Sequence, residues 1–465
     1  MDEPVLDLDG RRRIDVANIG GAGMSAVATL LAEMGHEVSG HDPLDSSPFL
    51  PPLRDLGVAV RTGADADLPA GVDALVVSTA TPEAHPSVAA ARAAGVPVVH
   101  RRSALAAICA RRTVAAVAGT HGKTTTSALL ATLFAGAGAD PGWVVGARIA
   151  ALGRSAAWGG DGPLVVEADE SDGTFLALGA HAAIVTNVEP DHLEHWGGEA
   201  GLRQAFRDFV GALDGPAVLC ADDPGSAALV AAARHPVTYG TSAGADYEIR
   251  DVATEGTGVG FVLAHAGEEV AVTVPAAPGV HNARNAAAAL ALAHRLGVPL
   301  TAGAEALAGF RGVARRFELR GEAGGVTFVD SYDHLPTEVA AALAAARAGE
   351  WRRIVCCFQP HRYSRTESLW RSFADAFTDA DLLVVAGLYP AGEAPRPGVT
   401  GKLIVDAVLD AHPWSSVAWM PTLDDAAAYL AGVLRPGDLC LTLGAGDVTT
   451  LPDELIARLR ADEGP

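Results

Sequence analysis

Short apolar segments alternate with alanine-rich segments from residue 14 almost to the end of the chain. The apolar segments have the length of buried β-strands, and the alanine-rich segments are long enough for helices. Strands that alternate with helices in this way pack as parallel sheets covered by helices. The sequence therefore predicts an α/β protein, and 465 residues are enough for several such domains.

Three blocks follow one another along the chain, and we expect them to be domains with limits at 1–110, 111–312 and 313–465. The strands predicted for the first block are 14–19, 37–41, 73–77 and 97–99, followed by a helix over 103–109. Those predicted for the second block are 113–118, 164–167 and 183–186, with a β-type addition over 247–274 and a helix over 281–296. Those predicted for the third block are 327–329, 353–358, 382–385 and 438–443.

The net charge and the positions of the cysteines indicate which partners and which cellular compartment to expect. A net charge of −22 argues against nucleic acid or an anionic membrane as the partner. The five cysteines lie mostly in apolar runs without metal-ligand spacing, which favours reduced core thiols in a cytoplasmic protein. The N-terminus has no apolar signal segment, and no apolar run reaches the ~18 residues of a membrane helix. We therefore expect no membrane insertion.

The stretch Gly-Thr-His-Gly-Lys-Thr-Thr-Thr, residues 119–126, follows the apolar run 114–118 and carries one of only two lysines in the chain, Lys123. A strand, a glycine turn and a helix start place backbone N–H groups and a mobile positive charge against an anion. Thr124 is placed to reach Mg²⁺. The stretch differs from a regular Walker A motif, which has Gly where Val117 stands. The alternative is an ordinary strand-to-helix turn.

A second glycine turn, residues 20–26, lies near the N-terminus. Gly21, Gly23 and Ala26 fit the Gly-x-Gly-x-x-Gly/Ala pattern between a strand and a helix, and Asp42 ends the next strand. The pattern favours a nucleotide diphosphate, with Asp42 accepting from a ribose hydroxyl. It does not distinguish a nicotinamide cofactor from other nucleotides, and a tight structural turn is the alternative.

Acidic motifs follow two strands of the second block, at residues 167–172 and 186–192. Carboxylates at the carboxyl ends of parallel strands lie at the ligand crevice. Glu167, His192 and Thr124 are therefore predicted to surround a divalent cation, although histidine is an unusual Mg²⁺ ligand. In the third block, Arg362 and Arg365 follow a strand and are suited to a carboxylate, with surface salt bridges as the alternative.

These motifs together resemble the Mur ligase family over nearly the whole chain and in the family's order. The resemblance also rests on Pro-Gly-Val-His-Asn-Ala-Arg-Asn at 278–285, Arg-Arg-Phe-Glu at 315–318, Gln-Pro-His-Arg-Tyr-Ser-Arg-Thr at 359–366 and Gly-Ala-Gly-Asp at 444–447. The Gly-Thr-His-Gly-Lys and Gln-Pro-His-Arg-Tyr runs are similar to the branch that adds alanine. The resemblance implies a Rossmann-like N-terminal domain for a UDP-sugar, a P-loop-type central ATPase domain and a Rossmann-like C-terminal domain for the amino acid.

The resemblance also implies a role for each matching residue, with ATP and Mg²⁺ or Mn²⁺ as cofactors. Catalytic roles fall on Lys123, Glu167, His192 and Arg316, and the metal ligands are Thr124, Glu167 and His192. The ATP-binding residues are Gly119, Thr120, His121, Gly122, Lys123, Thr124, Thr125, His281, Asn285, Arg316 and Asp330. The UDP-sugar-binding residues are Gly21, Ala22, Gly23, Met24, Ser25, Asp42, Ser78, Glu170 and Ser171. The amino-acid-binding residues are Tyr332, His334, His361, Arg362 and Arg365.

The chemistry that the resemblance implies is an ATP-driven ligation of L-alanine to UDP-N-acetylmuramate through an acyl phosphate, by a monomer or homodimer. The chain departs from the family pattern at Asp333, where a small residue is usual, and at Leu335, where a second histidine is usual. These departures leave open a Mur-type ligase with another amino-acid or peptide acceptor. A nicotinamide-dependent oxidoreductase and a catalytically inactive nucleotide-binding module are the alternatives from other classes.

Overall fold

The computed structural model describes residues 5–64, 67–255 and 257–462. Three sheets, made mostly of parallel strands, take their strands from successive stretches of the chain, and helices pack on them. This confirms the predicted α/β fold class. By packing, the chain forms two compact units, and the predicted domain limits stay a prediction. The units are Met1–Ile249 with Leu263–Val270 and Arg284–Gly309, and Arg250–Val262 with Ala271–Ala283 and Phe310–Pro465.

The first sheet has five parallel strands in the order β3-β2-β1-β4-β5. Its strands are β1 Arg13–Ala17, β2 Glu37–Asp42, β3 Ala59–Thr62, β4 Ala74–Val77 and β5 Val98–His100. Its helices are α1 Ala22–Glu33, α2 Leu50–Asp55, α3 Pro86–Ala94 and α4 Arg101–Cys109. The strand order reverses beside β1, so a crevice forms where β1 meets α1.

The second sheet has the order β15-β14-β13-β12-β11-β10-β6-β9-β7-β8. Its strands are β6 Val114–Ala118, β7 Gly142–Val144, β8 Ala156–Ala157, β9 Leu164–Glu167, β10 Ala182–Val185, β11 Ala217–Cys220, β12 Pro236–Gly240, β13 Tyr247–Glu255, β14 Gly258–His265 and β15 Glu268–Val274. The helices of this stretch are α5 Lys123–Gly136, α6 Leu193–Trp196, α7 Glu199–Ala212, α8 Pro224–Ala227, α9 Val280–Arg295 and α10 Leu300–Leu307, with a 3-10 turn at Thr174–Ala177.

Strand β6 is an interior strand of that sheet, and all five of its residues are buried. It pairs in parallel with β9 on one side and β10 on the other. Because parallel strands end at the same edge, the loops after β6, β9 and β10 meet there. The predicted β-type addition over 247–274 is confirmed as β13 to β15.

The third sheet has the order β16-β17-β21-β18-β19-β20, in which only β16 is antiparallel to its neighbour. Its strands are β16 Glu318–Ala323, β17 Val326–Ser331, β18 Arg353–Phe358, β19 Leu382–Ala386, β20 Val417–Met420 and β21 Asp438–Leu443. Its helices are α11 Pro336–Arg347, α12 Tyr363–Leu369, α13 Lys402–Ala411, α14 Leu423–Val433 and α15 Leu451–Asp462, with 3-10 turns at Trp370–Phe373 and Asp447–Thr450.

The five cysteines are all buried with free thiols, as predicted. Burial raises the pKa of Cys109 and of Cys357 to about 12, so these thiols stay protonated and unreactive. Among the described residues, no helix has both the length and the apolar character needed to cross a membrane.

A buried ion pair stabilises the first sheet. Asp15 on β1 is fully buried, and its carboxylate accepts a hydrogen bond from the Ser39 hydroxyl on β2 at 2.6 Å. Arg61 on β3 lies 3.0 Å from both carboxylate oxygens. A buried carboxylate that loses its cation retains an uncompensated desolvation cost, so the pair ties three neighbouring strands together.

We expect Arg61→Ala to lower the free energy of unfolding of the first sheet by about 3 kcal/mol, because it leaves the Asp15 charge buried without its cation. The control is Arg92→Ala, which breaks an exposed pair with Glu83 and should leave stability unchanged. Urea denaturation of the three proteins measures the effect. If the two variants lost equal amounts of unfolding free energy, burial of the Asp15–Arg61 pair would not explain its contribution to stability.

Candidate active site

The turn between β6 and α5 needs glycine at two positions. Gly119 has φ +132°, and a Cβ there would lie 2.1 Å from the hydroxyl oxygen of Thr186. Gly122 has φ +78°, and a Cβ there would lie 2.9 Å from the side-chain oxygen of Asn285 on α9. Both positions combine a left-handed backbone with a close neighbour, so a side chain at either would displace the turn. Asn285, a predicted ATP-binding residue, is thus placed beside the turn.

The loop after β10 holds this turn in position. Asn187 accepts from the His121 N–H at 2.8 Å and donates to the His121 carbonyl at 3.1 Å, and Thr186 donates to that same carbonyl at 2.6 Å. The Thr120 hydroxyl accepts from the Glu189 N–H at 2.9 Å. Sequence reasoning recognised the motif over residues 186–192 but gave Thr186, Asn187 and Glu189 no role. The signal that identifies them is the polar pair Thr186 and Asn187, which directly follows β10, the neighbour of β6. The turn after β6, residues 119–122, is called the phosphate turn.

Lys123 is the first residue of α5, and its side chain turns back over the glycine turn. Its Nζ donates to the carbonyls of Gly119 at 2.7 Å and Thr120 at 3.0 Å, and lies 2.9 Å from the carboxylate of Glu170. Burial alone would lower the pKa of the Lys123 ammonium, but the nearby carboxylates, Glu170 above all, outweigh burial and raise it. Lys123 therefore stays a cation inside the turn.

Two of the three predicted metal ligands meet directly. The Thr124 hydroxyl donates to one Glu167 oxygen at 2.8 Å, and the other Glu167 oxygen accepts from the Gly146 N–H at 2.6 Å. A hydroxyl beside a carboxylate is the oxygen donor set that Mg²⁺ prefers, so these residues fit a Mg²⁺ ion bound next to phosphates.

His192 lies in the loop after β10, where its ring is 3.4 Å from Asp191. Its backbone has φ +51°, in the left-handed region that few residues other than glycine adopt, and it caps the N-terminus of α6. Within the described parts of the chain, no group of three or more His, Cys, Asp or Glu side chains has metal-binding geometry. The predicted set contains only two such residues and a threonine, and His192 as a ligand stays a prediction.

The first glycine turn is built around Asp42. One carboxylate oxygen accepts from the Gly20 N–H at 2.9 Å, and the other accepts from the Leu44 N–H at 3.0 Å. The predicted ribose contact of Asp42 stays a prediction, and the structure shows this buried carboxylate fixing the backbone of the turn. Ser78 directly follows β4, and its carbonyl accepts from the Thr81 N–H at 2.9 Å.

Arg101, at the start of α4, was missed by sequence reasoning. A Cβ on Gly23 would lie 2.8 Å from its Nη1, so the guanidinium packs against the first turn of α1. Its Nη2 donates to Asp172 at 2.9 Å, in the acidic loop that follows β9. The signal that identifies Arg101 is its position directly after β5, a strand of the sheet that also contains β1. The guanidinium links the two predicted nucleotide-binding regions.

Other predicted residues gather at the carboxyl edge of the third sheet. Arg315 and Arg316 stack on the ring of Tyr332, with guanidinium carbons 4.8 and 5.2 Å from its centroid. Asp330 is fully buried and accepts from the hydroxyls of Thr442 and Thr449, each at 2.6 Å. A direct nucleotide contact by Asp330 stays a prediction, and the structure shows this carboxylate linking β17 to β21 and to the 3-10 turn Asp447–Thr450.

The predicted amino-acid-binding residues form a cluster of rings. His361 stacks on Tyr389 with centroids 5.7 Å apart, and His334 meets His361 edge-on at 5.7 Å. Arg365 lies 3.0 Å from Nδ1 of His361, and the Arg362 N–H donates to the Tyr389 carbonyl at 2.8 Å. Tyr389 is a cluster member that sequence reasoning missed.

This cluster is electropositive. Burial first, and then the charges of His334, Arg365 and Arg362, together lower the pKa of His361 to about 4. The imidazole of His361 is therefore neutral at neutral pH, while the two arginines carry positive charge. The arrangement suits a carboxylate ligand, whose negative charge the arginines compensate.

We expect the free energy of unfolding to fall as the pH drops from 6.5 towards about 4, because the unfolded chain protonates His361 in that range and the folded chain does not. His361→Asn should make this pH dependence shallower. Denaturation at a series of pH values measures it, with His235→Asn as the control at an exposed histidine. An unchanged pH dependence in His361→Asn would contradict the lowered pKa.

Three family models match successive parts of the chain. They are the Mur ligase family catalytic domain over residues 13–113, the Mur ligase middle domain over 117–293 and the Mur ligase glutamate ligase domain over 315–446. A UDP-N-acetylmuramate–L-alanine ligase of Kineococcus radiotolerans is 48% identical over 455 residues, covering 96% of this chain and 95% of the relative. One of Thermobifida fusca is 42% identical, covering 98% of each chain.

The solved structures agree with the sequence comparisons. A UDP-N-acetylmuramate-alanine ligase from Thermotoga maritima has a TM-score of 0.83 at 28% identity, covering 97% of this chain and 100% of that one. A murein peptide ligase from Psychrobacter arcticus shares the fold, with a TM-score of 0.71 at 23% identity and 96% and 98% coverage. With three matching domain models and relatives of this identity over nearly its full length, the chain belongs to the Mur ligase family.

Proposed function

We propose that the chain is a cytoplasmic ATP-dependent ligase that joins L-alanine to the lactyl carboxylate of UDP-N-acetylmuramate, a step of peptidoglycan precursor synthesis. The observation that carries the proposal is the turn after β6, where Lys123 and the Thr124–Glu167 pair lie together at the carboxyl ends of β6 and β9. Relatives that are 42–48% identical over nearly the whole chain bear this name. Membership of the family removes the nicotinamide-dependent oxidoreductase from consideration.

In this proposal, residues 119–125 bind the phosphates of ATP through the backbone N–H groups of the turn and the helix start. Thr124 and Glu167, with His192, hold Mg²⁺, which supplies positive charge beside the phosphates when it is bound. His281 and Asn285 lie four residues apart on α9, on one helix face, and bind the adenine. Arg316 and Asp330 belong to the same nucleotide site.

The reaction has two steps, both on the substrates. The lactyl carboxylate attacks the γ-phosphorus of ATP, which forms an acyl phosphate and releases ADP. The amine of alanine then attacks the acyl carbon, an amide bond forms, and inorganic phosphate and a proton leave. Phosphoryl transfer requires positioning and positive charge rather than a protein nucleophile, and the Lys123 ammonium supplies that charge at the turn.

The UDP-sugar belongs to the first glycine turn in this proposal. Residues 21–25 form the first turn of α1, where the helix N-terminus favours a diphosphate. Asp42, Ser78, Ser171 and Glu170 belong to the same substrate in the family pattern, and in this structure Glu170 contacts Lys123. In this proposal the first domain binds the UDP-sugar, the central domain binds ATP and the third domain binds the amino acid. The protein acts as a monomer or a homodimer.

The test is phosphate release from ATP by the purified protein with UDP-N-acetylmuramate, in the presence of Mg²⁺. We expect release with L-alanine and little with glycine, L-serine or a tripeptide. Mass measurement of the product identifies the amide. Preference for the tripeptide would favour the alternative acceptor, and no release with any acceptor would refute the proposed ligase.

We expect Arg365→Ala to weaken the use of alanine and leave the apparent constants for ATP and UDP-sugar nearly unchanged. Loss of one charge-assisted contact to the alanine carboxylate should cost roughly 2–4 kcal/mol of transition-state stabilisation. Steady-state kinetics with each substrate varied in turn measures it. The control is Arg371→Ala, which removes an arginine stacked on Trp370 in the next turn of the chain. A rise in the constant for ATP alone would assign Arg365 to phosphate.

A further inference from the structure

We propose that Glu170 is a positioning residue that acts as an internal anion, holding Lys123 inside the phosphate turn until a nucleotide phosphate displaces it. The inference rests on the proposed function, because it concerns how the same turn receives ATP. It gives Glu170 a role at the phosphates rather than at the sugar.

The hydrogen-bond donors of Lys123 are fully used. An ammonium has three N–H groups, and Nζ has three acceptors: the Gly119 carbonyl at 2.7 Å, the Thr120 carbonyl at 3.0 Å and the Glu170 carboxylate, whose oxygens lie 2.9 and 3.1 Å away. The Lys123 side chain is 14% exposed and that of Glu170 is 2% exposed. A phosphate oxygen that approaches Lys123 must therefore replace one of these acceptors.

Among these three acceptors, the Glu170 carboxylate is the one that the phosphate oxygen displaces from Lys123. The carbonyls of Gly119 and Thr120 belong to a turn fixed to the loop after β10, where the Thr120 N–H donates to the Asn187 carbonyl at 3.2 Å. Glu170 lies instead in the loop after β9. Its carboxylate also carries the same charge as a phosphate, so the two anions repel each other when they share one ammonium.

Glu170 occupies the place of a phosphate at the Lys123 ammonium. Burial raises the pKa of the Glu170 carboxyl, and the Lys123 charge opposes this effect. The carboxylate is almost completely buried, and the backbone carbonyl of Glu170 accepts from the Trp196 indole N–H at 3.1 Å. A carboxylate held in this way keeps the lysine charge compensated in the ligand-free protein. The same contact weakens nucleotide binding, because only molecules in which Lys123 has been released bind with full affinity.

The experiment is nucleotide binding by Glu170→Gln, which keeps the shape of the side chain and removes its charge. Calorimetry with Mg²⁺ and a non-hydrolysable ATP analogue should show about tenfold tighter binding than wild type. The nucleotide-free variant should also melt at a lower temperature than wild type, since Lys123 is left buried without its anion. A saturating concentration of the ATP analogue should restore the melting temperature of the variant.

Two controls separate a specific effect from a structural one. Glu199→Gln makes the same substitution at an exposed residue paired with Arg203, and should bind like wild type. In a Lys123→Met background, Glu170→Gln should give no gain in affinity, because its effect acts through the lysine. A gain that persists without Lys123, or an affinity equal to or weaker than wild type in Glu170→Gln, would overturn the inference.

A structure of the wild-type protein with Mg²⁺ and the analogue tests the same point if the variant fails to fold. We expect Nζ of Lys123 to contact a phosphate oxygen and to lie beyond hydrogen-bonding distance of Glu170. A retained Lys123–Glu170 contact would overturn the inference. Failure of wild type to bind the analogue at all would instead refute the proposed function, so the two failures are distinguishable.

Discussion

The close approach of Gly119 to Thr186 is the contact on which the candidate active site depends. It places the turn after β6 directly against the loop after β10, with no room for a Cβ between them. Asn187 then fixes both the N–H and the carbonyl of His121. Because the turn is held by a neighbouring strand's loop, its geometry is set by the register of two parallel strands. Binding groups held by rigid elements need little reorganisation when a ligand arrives.

Buried charges in this protein are compensated by specific partners, and the partners differ in kind. Asp15 and Asp438 are fully buried and pair with Arg61 and Arg353, whose guanidinium groups bind two carboxylate oxygens at once. At the phosphate turn the cation is a lysine, in a chain with only two lysines. An ammonium is compact and can exchange one acceptor for another by a small rotation. The planar guanidinium group of arginine instead holds its hydrogen-bond donors in fixed directions. That difference fits a residue that changes partners when a nucleotide binds.

The sequence predicted the elements better than it predicted their contacts. The predicted strands were all found to within two residues, because buried parallel strands such as β6 are continuous apolar runs. Seven other strands were not predicted, namely β3, β7, β8, β11, β12, β16 and β20. Strands β3 and β20 have no buried residue, β16 is largely polar, and β7 and β8 are only three and two residues long. Strand β11 is a buried apolar run and β12 is half buried, and sequence reasoning overlooked both. The motifs of the candidate site were recognised in order. The contact of Glu170 with Lys123 was not, because it depends on which strands are neighbours in the sheet.

The departures from the family pattern at Asp333 and Leu335 are accommodated at the start of α11. Leu335 is buried and forms the N-terminal boundary of that helix, where Glu338 accepts from the N–H groups of both His334 and Leu335 at 3.0 and 3.1 Å. Asp333 accepts from the Ser331 hydroxyl at 2.6 Å. The remaining histidine, His334, donates from Nδ1 to the Tyr332 carbonyl at 3.0 Å and meets His361 edge-on, so it is fixed from both sides. The ring cluster and its arginines therefore keep an arrangement that suits a carboxylate ligand, although one of the family's two histidines is absent.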